Sequence, residues 1–170
     1  GDFLKLFNVF GIETSPFNVT GKSSIRSYLP YFNNGQTIFL VHNTFMPEED
    51  IVWANEYAAA NGLKLIYCLC PNANLYIENR TAAVELFLNH NCLLVLGTDS
   101  YSSNWQLSIA KEMQALLQHT SVTAEQALQM ATLNGAKALQ WDDGLGSFEK
   151  GKQPGIVLMD NDFSNSKRIL

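Results

Sequence analysis

Charged residues are scarce in this sequence, and none of its apolar runs is long. Charged side chains make up 16% of the 170 residues, against about 25% in an average soluble domain. The 11 lysines and arginines form no cluster and are outnumbered by 16 acidic residues, which argues against a strongly basic nucleic-acid-binding protein. The longest apolar runs, such as Ile38 to Val41 and Leu93 to Leu96, fall far short of the roughly 20 residues that a membrane helix needs. We therefore expect neither nucleic acid nor a membrane as a partner.

Cysteine is also scarce. An odd number of three, Cys68, Cys70 and Cys92, excludes the fully paired disulfide framework of a small secreted protein. The start, GDFLKLFNVF, has no basic segment and no small-residue cleavage site, so we expect a cytoplasmic protein with reduced thiols. Cys68 and Cys70 could suggest a metal or redox site, but no second Cys/His pair stands at zinc-finger spacing, which favours buried thiols.

Three continuous apolar runs predict strands that are buried on both faces. They are Thr37–Val41, Lys64–Leu69 and Cys92–Leu96, and their starts lie 27 and 28 residues apart. Helical patterns fill the gaps after each strand: Pro47 to Ala60 with Gly62 beyond it, Thr81 to Asn89, and Asn104 to Gln118. Strand and helix alternating at this spacing predict parallel strands joined by right-handed crossovers.

The flanking segments predict further helices and a different tail. Two predicted helices precede the first strand: Phe3 to Phe10, with Asp2 as N-cap, and Ser23 to Leu29, closed by Pro30. Two more follow the third unit: Thr123 to Thr132, which begins with a capping box, and a short helix around Gly135 to Leu139. Glycines punctuate the tail, which predicts turns with short strands at Ile156–Met159 and Arg168–Leu170.

The length of the repeating unit is informative. A closed eight-stranded α/β barrel takes about 31 residues per unit, and the three units here match that spacing. Three strands cannot close a barrel, because closure links strand number, tilt and stagger. The chain is therefore either a small open parallel sheet or the last part of a barrel.

Each predicted strand ends in polar residues. The first ends in His42-Asn43-Thr44, the second runs into a turn containing Asn72 and Asn74, and the third ends in Gly97-Thr98-Asp99-Ser100. In parallel α/β folds the chemistry lies beyond the carboxyl ends of the strands. An imidazole, a pair of amides and a carboxylate are therefore expected on a common rim.

These strand ends, in this order, resemble a known family. LVHN, CPNAN and LGTDS look like the sixth, seventh and eighth strand ends of the metal-dependent amidohydrolase superfamily, in its nucleobase-deaminase and chlorohydrolase-like branch. MATLNGAKAL and GLGSFEKGKQPGIVLMD resemble the segments that follow in that family. The resemblance implies a C-terminal fragment of a TIM-like (β/α)8 barrel over residues 1–143. Residues 144–170 would then be a tail that contributes strands to a small β-domain.

The resemblance also implies roles for individual residues. Asp99 matches the family's metal-ligating aspartate, which also takes a proton from metal-bound water. His42 matches the catalytic histidine of the sixth strand, which orients substrate and stabilises developing charge. Asn74 matches a loop residue that shapes the substrate pocket, and Ser100, next to Asp99, is expected to bind substrate as well. The implied activity is a hydrolase that acts on non-peptide C–N or related bonds of a small molecule.

The chemistry fits, but the set of ligands is incomplete. Zinc or iron lowers the pKa of bound water towards ~7, a carboxylate can accept the proton, and an imidazole can stabilise the intermediate. A catalytic zinc normally has three protein ligands, whereas the histidines here, His42, His90 and His119, form no His-x-His pair. We therefore expect the chain alone to be inactive and to hold no divalent metal tightly.

Other interpretations stay open at this point. The chain could be a small doubly wound α/β domain that binds a nucleotide or metabolite, although neither a G-x-G-x-x-G nor a P-loop motif is present. It could also be an interaction module with an exposed sheet edge, and we expect self-association through such edges. Taken alone, Asp99 could cap a helix and His42 could be structural; His90 and His119, near helix C-termini, are taken as structural.

Overall fold

The computed structural model describes the backbone of residues 2–16 and 19–170 and the side chains of residues 4–16 and 19–170. The chain forms two compact units, residues 1–31 and 32–170. The first contains helices α1 (Asp2–Val9) and α2 (Ser24–Tyr28) and a 3-10 helix over Leu29–Tyr31. Both predicted helices are present. The predicted N-cap side chain, that of Asp2, lies outside the described side chains.

The α-helix α2 ends at Tyr28, before Pro30, as expected. Pro30 lies inside the 3-10 helix that follows directly. Proline fits the first turn of a helix because its φ is already helical and its missing N–H has no partner there.

The second unit alternates strands and helices. Its elements are β1 (Thr37–Val41), α3 (Glu48–Ala60), β2 (Lys64–Leu69), α4 (Pro71–Glu78), α5 (Val84–Asn89), β3 (Leu94–Leu96), α6 (Ile109–His119), α7 (Ala124–Ala131), α8 (Leu133–Ala138), β4 (Val157–Met159) and β5 (Ser166–Arg168). None of the described helices is long and apolar enough to cross a membrane.

The first three strands form a parallel sheet in the order β1-β2-β3. The register pairs Val41 with Cys68 and Cys68 with Val95, so the three carboxyl ends lie at the same edge. Helical residues that include Ile51, Phe87 and Leu116 pack with β2 and β3 in one core. A doubly wound sheet reverses its strand order and carries helices on both faces. The sequential order seen here instead agrees with a partial (β/α)8 barrel.

The core lies between the sheet and its helices. Tyr67 and Leu69 of β2 are each 1% exposed, as is Leu94 of β3. Phe87 of α5 is fully buried, and its ring centroid lies 5.2 Å from that of Tyr67. Burial of a side chain of this size contributes about 1.5–3 kcal/mol, so this layer is the main source of stability for the sheet.

Local signals explain where the long helices begin and end. Pro47 precedes α3 and three acidic residues occupy its first turn, where they face the positive end of the helix dipole. Beyond its end Gly62 has a φ of +65°, a conformation that glycine adopts without strain. At the start of α7, Thr123 and Gln126 form the predicted capping box.

Some predicted boundaries are wrong. The predicted helix from Asn104 begins at Ile109, because the Ser108 side chain accepts a hydrogen bond from the Lys111 N–H and caps the helix there. The predicted turn after β2 is instead the helix α4, with Pro71 in its first turn. The third strand begins at Leu94 and not Cys92.

The tail forms a two-stranded antiparallel sheet from β4 and β5. The predicted strand at Ile156–Met159 is present as β4, whereas the last strand lies two residues before its predicted position. Phe163, between the two strands, is 4% exposed and belongs to the same core as Phe87. The domain boundary between residues 143 and 144 stays a prediction.

Candidate active site

The carboxyl ends of the three parallel strands bring together three of the predicted site residues. His42 follows β1, Asn74 lies in the second turn of α4 after β2, and Asp99 follows β3. Nδ1 of His42 lies 2.9 Å from Oδ1 of Asn74, and Nε2 of His42 lies 3.6 Å from Oδ2 of Asp99. The imidazole therefore lies between an amide and a carboxylate, although 32 residues separate it from Asn74 in the sequence.

The contact with Asn74 orients the imidazole. An amide oxygen only accepts hydrogen bonds, so the His42 Nδ1–H donates to Asn74. Nε2 is then the nitrogen that faces Asp99 and the open side of the site. A partner on one ring nitrogen sets the role of the other nitrogen in this way in many catalytic and metal-binding histidines.

The three side chains differ in how far they are exposed to solvent. Those of His42 and Asp99 are 38% and 30% exposed, which leaves both open to a ligand. Asn74 is only 3% exposed and lies in a helix, so the expectation of a loop residue is wrong. Its role in binding substrate stays a prediction.

The backbone at the two strand ends is in a rarely populated conformation. His42, Asn43 and Asp99 have φ values of 68°, 56° and 57°, in the left-handed region that residues other than glycine seldom adopt. Such conformations cost of the order of 1–3 kcal/mol each and cluster at functional sites. Two of the three residues in contact at this rim are therefore held in strained positions.

A group of serines surrounds the carboxylate of Asp99. The Ser103 hydroxyl donates to Oδ2 of Asp99 at 2.7 Å. The Ser100 hydroxyl lies 2.7 Å from that of Ser102 and 3.1 Å from that of Ser103. Ser100 is exposed on the same loop, and its expected role in binding substrate stays a prediction. Ser103 was not among the predicted site residues, because its only signal in the sequence is a position four residues after Asp99.

Asn72 does not join the site. Its backbone N–H donates to Oε2 of Glu112 at 2.8 Å, and its side chain donates to the Lys111 carbonyl at 3.0 Å. Both contacts lead to α6 and away from His42. The expectation that Asn72 and Asn74 face the same mouth is wrong, because residues two apart in an α-helix lie on nearly opposite sides of it.

Glu112 is a further residue beside the site that was not predicted. It is fully buried, and its second oxygen accepts a hydrogen bond from the Asn104 side chain at 2.8 Å. Burial raises the pKa of this carboxyl group, although its N–H donors favour the charged form. An acidic residue in an amphipathic helix is normally expected on the solvent side, so no pattern in the sequence indicated a buried carboxylate here.

Cys68 and Cys70 lie next to Gly97, directly after β3. A Cβ atom on Gly97 would lie 2.9 Å from Sγ of Cys68 and 3.3 Å from Sγ of Cys70, so glycine makes room for both thiols. All three cysteines are free, but only Cys70 is buried, and the expectation that all are buried is wrong. The hydrogen bond with Cys68, together with burial, raises the pKa of the Cys70 thiol.

The described residues do not form a metal site by themselves. In residues 4–16 and 19–170, no group of three or more His, Cys, Asp or Glu side chains is arranged to hold an ion. His42 and Asp99 provide one imidazole and one carboxylate, whereas a catalytic zinc normally has three protein ligands. These two side chains fit part of a ligand set and not the whole of one.

Comparison with known proteins agrees with the geometry. The model of the amidohydrolase family matches residues 17–169. The 5-methylthioadenosine/S-adenosylhomocysteine deaminase of Teredinibacter turnerae is 33% identical over 128 residues, which cover 71% of this chain and 28% of the relative. The enzyme of the same name from Thermoanaerobacter pseudethanolicus is 39% identical over 100 residues, or 54% of this chain and 23% of the relative.

Solved structures give the same picture. An adenosine deaminase from Xanthomonas campestris with bound zinc superposes with a TM-score of 0.58 at 28% identity, over 70% of this chain and 28% of that one. Guanine deaminase from E. coli superposes with a TM-score of 0.63 over 78% of this chain and 31% of that one, and at 24% identity it supports the fold alone. The chain thus spans 23–31% of the length of these proteins.

Proposed function

Because the chain belongs to the amidohydrolase family, we propose that it supplies the last three strand–helix units of a metal-dependent hydrolase that deaminates a small molecule. The reaction would replace an amino group with a hydroxyl group derived from water, which breaks a non-peptide C–N bond. The relatives named as deaminases of 5′-modified adenosines support a purine nucleoside as the substrate. We further propose that the enzyme acts in the cytoplasm, which free thiols favour.

The contact of His42 with both Asn74 and Asp99 is the observation that carries this proposal. It joins the ends of all three parallel strands, where α/β barrels hold their active sites. The strained backbone of His42 and Asp99 supports the same location.

Each of the four rim residues is assigned a role in the reaction. Asp99 accepts the proton of the attacking water and passes it to the leaving nitrogen. His42, oriented through Nδ1 by Asn74, presents Nε2 to the reacting carbon and stabilises the developing charge. Ser100 and Asn74 contact the substrate at the carboxyl ends of the strands.

The metal requires residues beyond those described. A divalent ion, zinc or iron, would supply the activated water in the complete protein, and Asp99 is the one ligand that we assign to this chain. Because His42 and Asp99 do not make a full set of ligands, we propose that the isolated chain is inactive and binds no such ion tightly.

A graft tests the function directly. Residues of this chain would replace the matching C-terminal segment of the Teredinibacter turnerae relative, and ammonia release from 5′-methylthioadenosine would be measured. We expect turnover in the graft and none in the chain alone. Asp99→Asn should lower kcat by at least about 100-fold, because a metal ligand and proton acceptor is lost.

Asp143→Asn in the same graft is the matched control, because it makes the same change at an exposed residue between α8 and β4 to which the proposal gives no role. It should keep kcat within about threefold of the unmodified graft, as expected for a surface change. Turnover by the isolated chain with zinc, or a folded graft that Asp99→Asn leaves active, would contradict the proposal.

A further inference from the structure

Glu112 is a buried acid that the proposed reaction does not use. It is fully buried, whereas the other buried polar side chains among the described residues, those of Asp50, Asn74 and Asn104, are each 3–4% exposed. Burying a carboxylate is costly unless its oxygens receive hydrogen bonds. The partners of its two oxygens therefore indicate what this residue does.

Each oxygen of Glu112 holds a different segment of the site. Oε2 accepts the backbone N–H of Asn72 at 2.8 Å, in the first turn of the helix that carries Asn74 two residues later. Oε1 accepts the side-chain amide of Asn104 at 2.8 Å. The same Asn104 nitrogen donates its other hydrogen to the carbonyl of Thr98 at 2.6 Å, directly before Asp99.

The base of this arrangement is rigid. Glu112 lies in the first turn of α6, which the Ser108 side chain caps. Met113 and Leu116 on the same helix are 2% and 0% exposed in the core. The Asn72 side chain adds a second link to α6 through the Lys111 carbonyl at 3.0 Å. Helix α6 is thus an anchor to which both segments are attached.

From these contacts we propose that Glu112 is a positioning residue, whose carboxylate fixes the Asp99 loop and the Asn74 helix at one relative position. It acts through Asn104 and Asn72 and not on the substrate. The importance of the positioned residues rests on the proposed function, but the positions themselves can be measured without any turnover. The distance from His42 to Asp99 then depends on a residue that touches neither of them in the described contacts.

NMR and hydrogen exchange on the chain test this proposal. The reporters are the amide of Asn72 for the helix, the amide of Gln106, which donates to Oδ1 of Asn104 at 3.2 Å, for the loop, and the Nδ1–H signal of His42 for the site. Glu112→Met removes both acceptors, so the Asn72 amide should exchange about 10- to 100-fold faster, as expected for the loss of a bond to a charged group. Exchange at Gln106 should also become faster, because Glu112 no longer holds the Asn104 side chain that accepts this N–H. The His42 Nδ1–H signal should broaden or shift.

Glu112→Gln keeps one acceptor oxygen and replaces the other with an NH2 group, which cannot accept the hydrogen bond of the second segment. Exchange should therefore become faster at only one of the two reporter amides. This variant is also the more certain to fold, because the side chain keeps its shape. Glu56→Gln, the same change at an exposed position of α3, is the matched control and should alter none of the signals.

The outcomes distinguish positioning from general stability. A purely structural role would speed exchange equally at Ala127, whose amide bonds to the Thr123 carbonyl in α7, and would overturn the proposal. The proposal would also be overturned if a folded Glu112→Gln chain showed unchanged exchange at both reporter amides and an unchanged His42 signal. An inactive graft, in contrast, would count against the proposed function and leave this measurement unaffected.

Discussion

The two faces of the parallel sheet differ in what covers them. On one face Tyr67 and Leu69 of β2 and Leu94 of β3 are each 1% exposed under the helices. On the other face Ile66 of β2 and Val95 of β3 are 3% and 4% exposed and pack with Ala138 of α8, whereas Phe39 and Val41 of β1 are 43% and 49% exposed. Both faces are equally apolar in sequence, so composition alone does not account for the difference.

The difference follows from the strand order. Each crossover places its helix on the same side of a sequentially ordered sheet. On the opposite side α8 covers part of β2 and β3 through Ala138, while Phe39 and Val41 of β1 stay exposed. In a closed (β/α)8 barrel that opposite side is the packed interior, so the described residues fill only part of such an interior.

The largest effect is expected on the covered face. Phe87→Ala removes a fully buried ring that packs on Tyr67, and it should lower the free energy of unfolding by about 3–5 kcal/mol, because a cavity adds to the lost burial. Urea unfolding followed by circular dichroism measures this. A loss below about 1 kcal/mol would mean that the helices do not pack on the sheet as described.

The buried acid beside the covered face should give a dependence on pH. Burial raises the pKa of Glu112 above its ordinary value of 4.5. Below pH 4.5 the group is protonated in both states, and its favourable contribution is fully present. As the pH rises through the raised pKa, the unfolded chain has already released its proton, so this contribution is lost.

The free energy of unfolding of the chain relative to Glu112→Gln should therefore fall as the pH rises above 4.5. Acids whose pKa values are lowered, including Glu85 and Glu149, act in the opposite direction, but they are common to both chains and cancel. A difference that is flat or rises with pH in urea titrations would contradict the raised pKa.

The smallest effect on folding is expected at Phe39, on the exposed part of the sheet in β1. Phe39→Ala should change the free energy of unfolding by less than about 1 kcal/mol, because the ring already contacts water over much of its surface. The same change should reduce the self-association that we predict through the sheet edges, because Phe39 lies in the edge strand β1, and light scattering at rising concentration would show this. A loss as large as that of Phe87→Ala would mean that both faces are covered in solution.

Much of the fold could be predicted, because strands leave a local signature. Thr37–Val41 and Lys64–Leu69 have the predicted bounds, since continuous apolarity is a property of neighbouring residues. Helix α4 was missed because its start, Pro-Asn-Ala-Asn, is typical of a turn. The N–H of Asn72 in its first turn is satisfied by Glu112, which lies 40 residues further along the chain.

The candidate site could be predicted only in part. That His42 and Asp99 share one edge follows from the parallel order of the strands, which the sequence indicated. That Asn74 turns to His42 while Asn72 turns to α6 could not be predicted, because both are asparagines in one short segment. Their partners depend on which helix packs beside them.

The amino-acid order by itself determined a parallel sheet with polar residues at the carboxyl edge, because apolar runs and helix signals act over a few neighbouring residues. Only the tertiary structure decided which nitrogen of His42 faces Asp99, where the carboxylate of Glu112 is buried and which part of the sheet stays exposed. These features depend on hydrogen bonds between segments that are 32 or 40 residues apart. Such contacts are set by the packing of whole helices, which no local pattern contains.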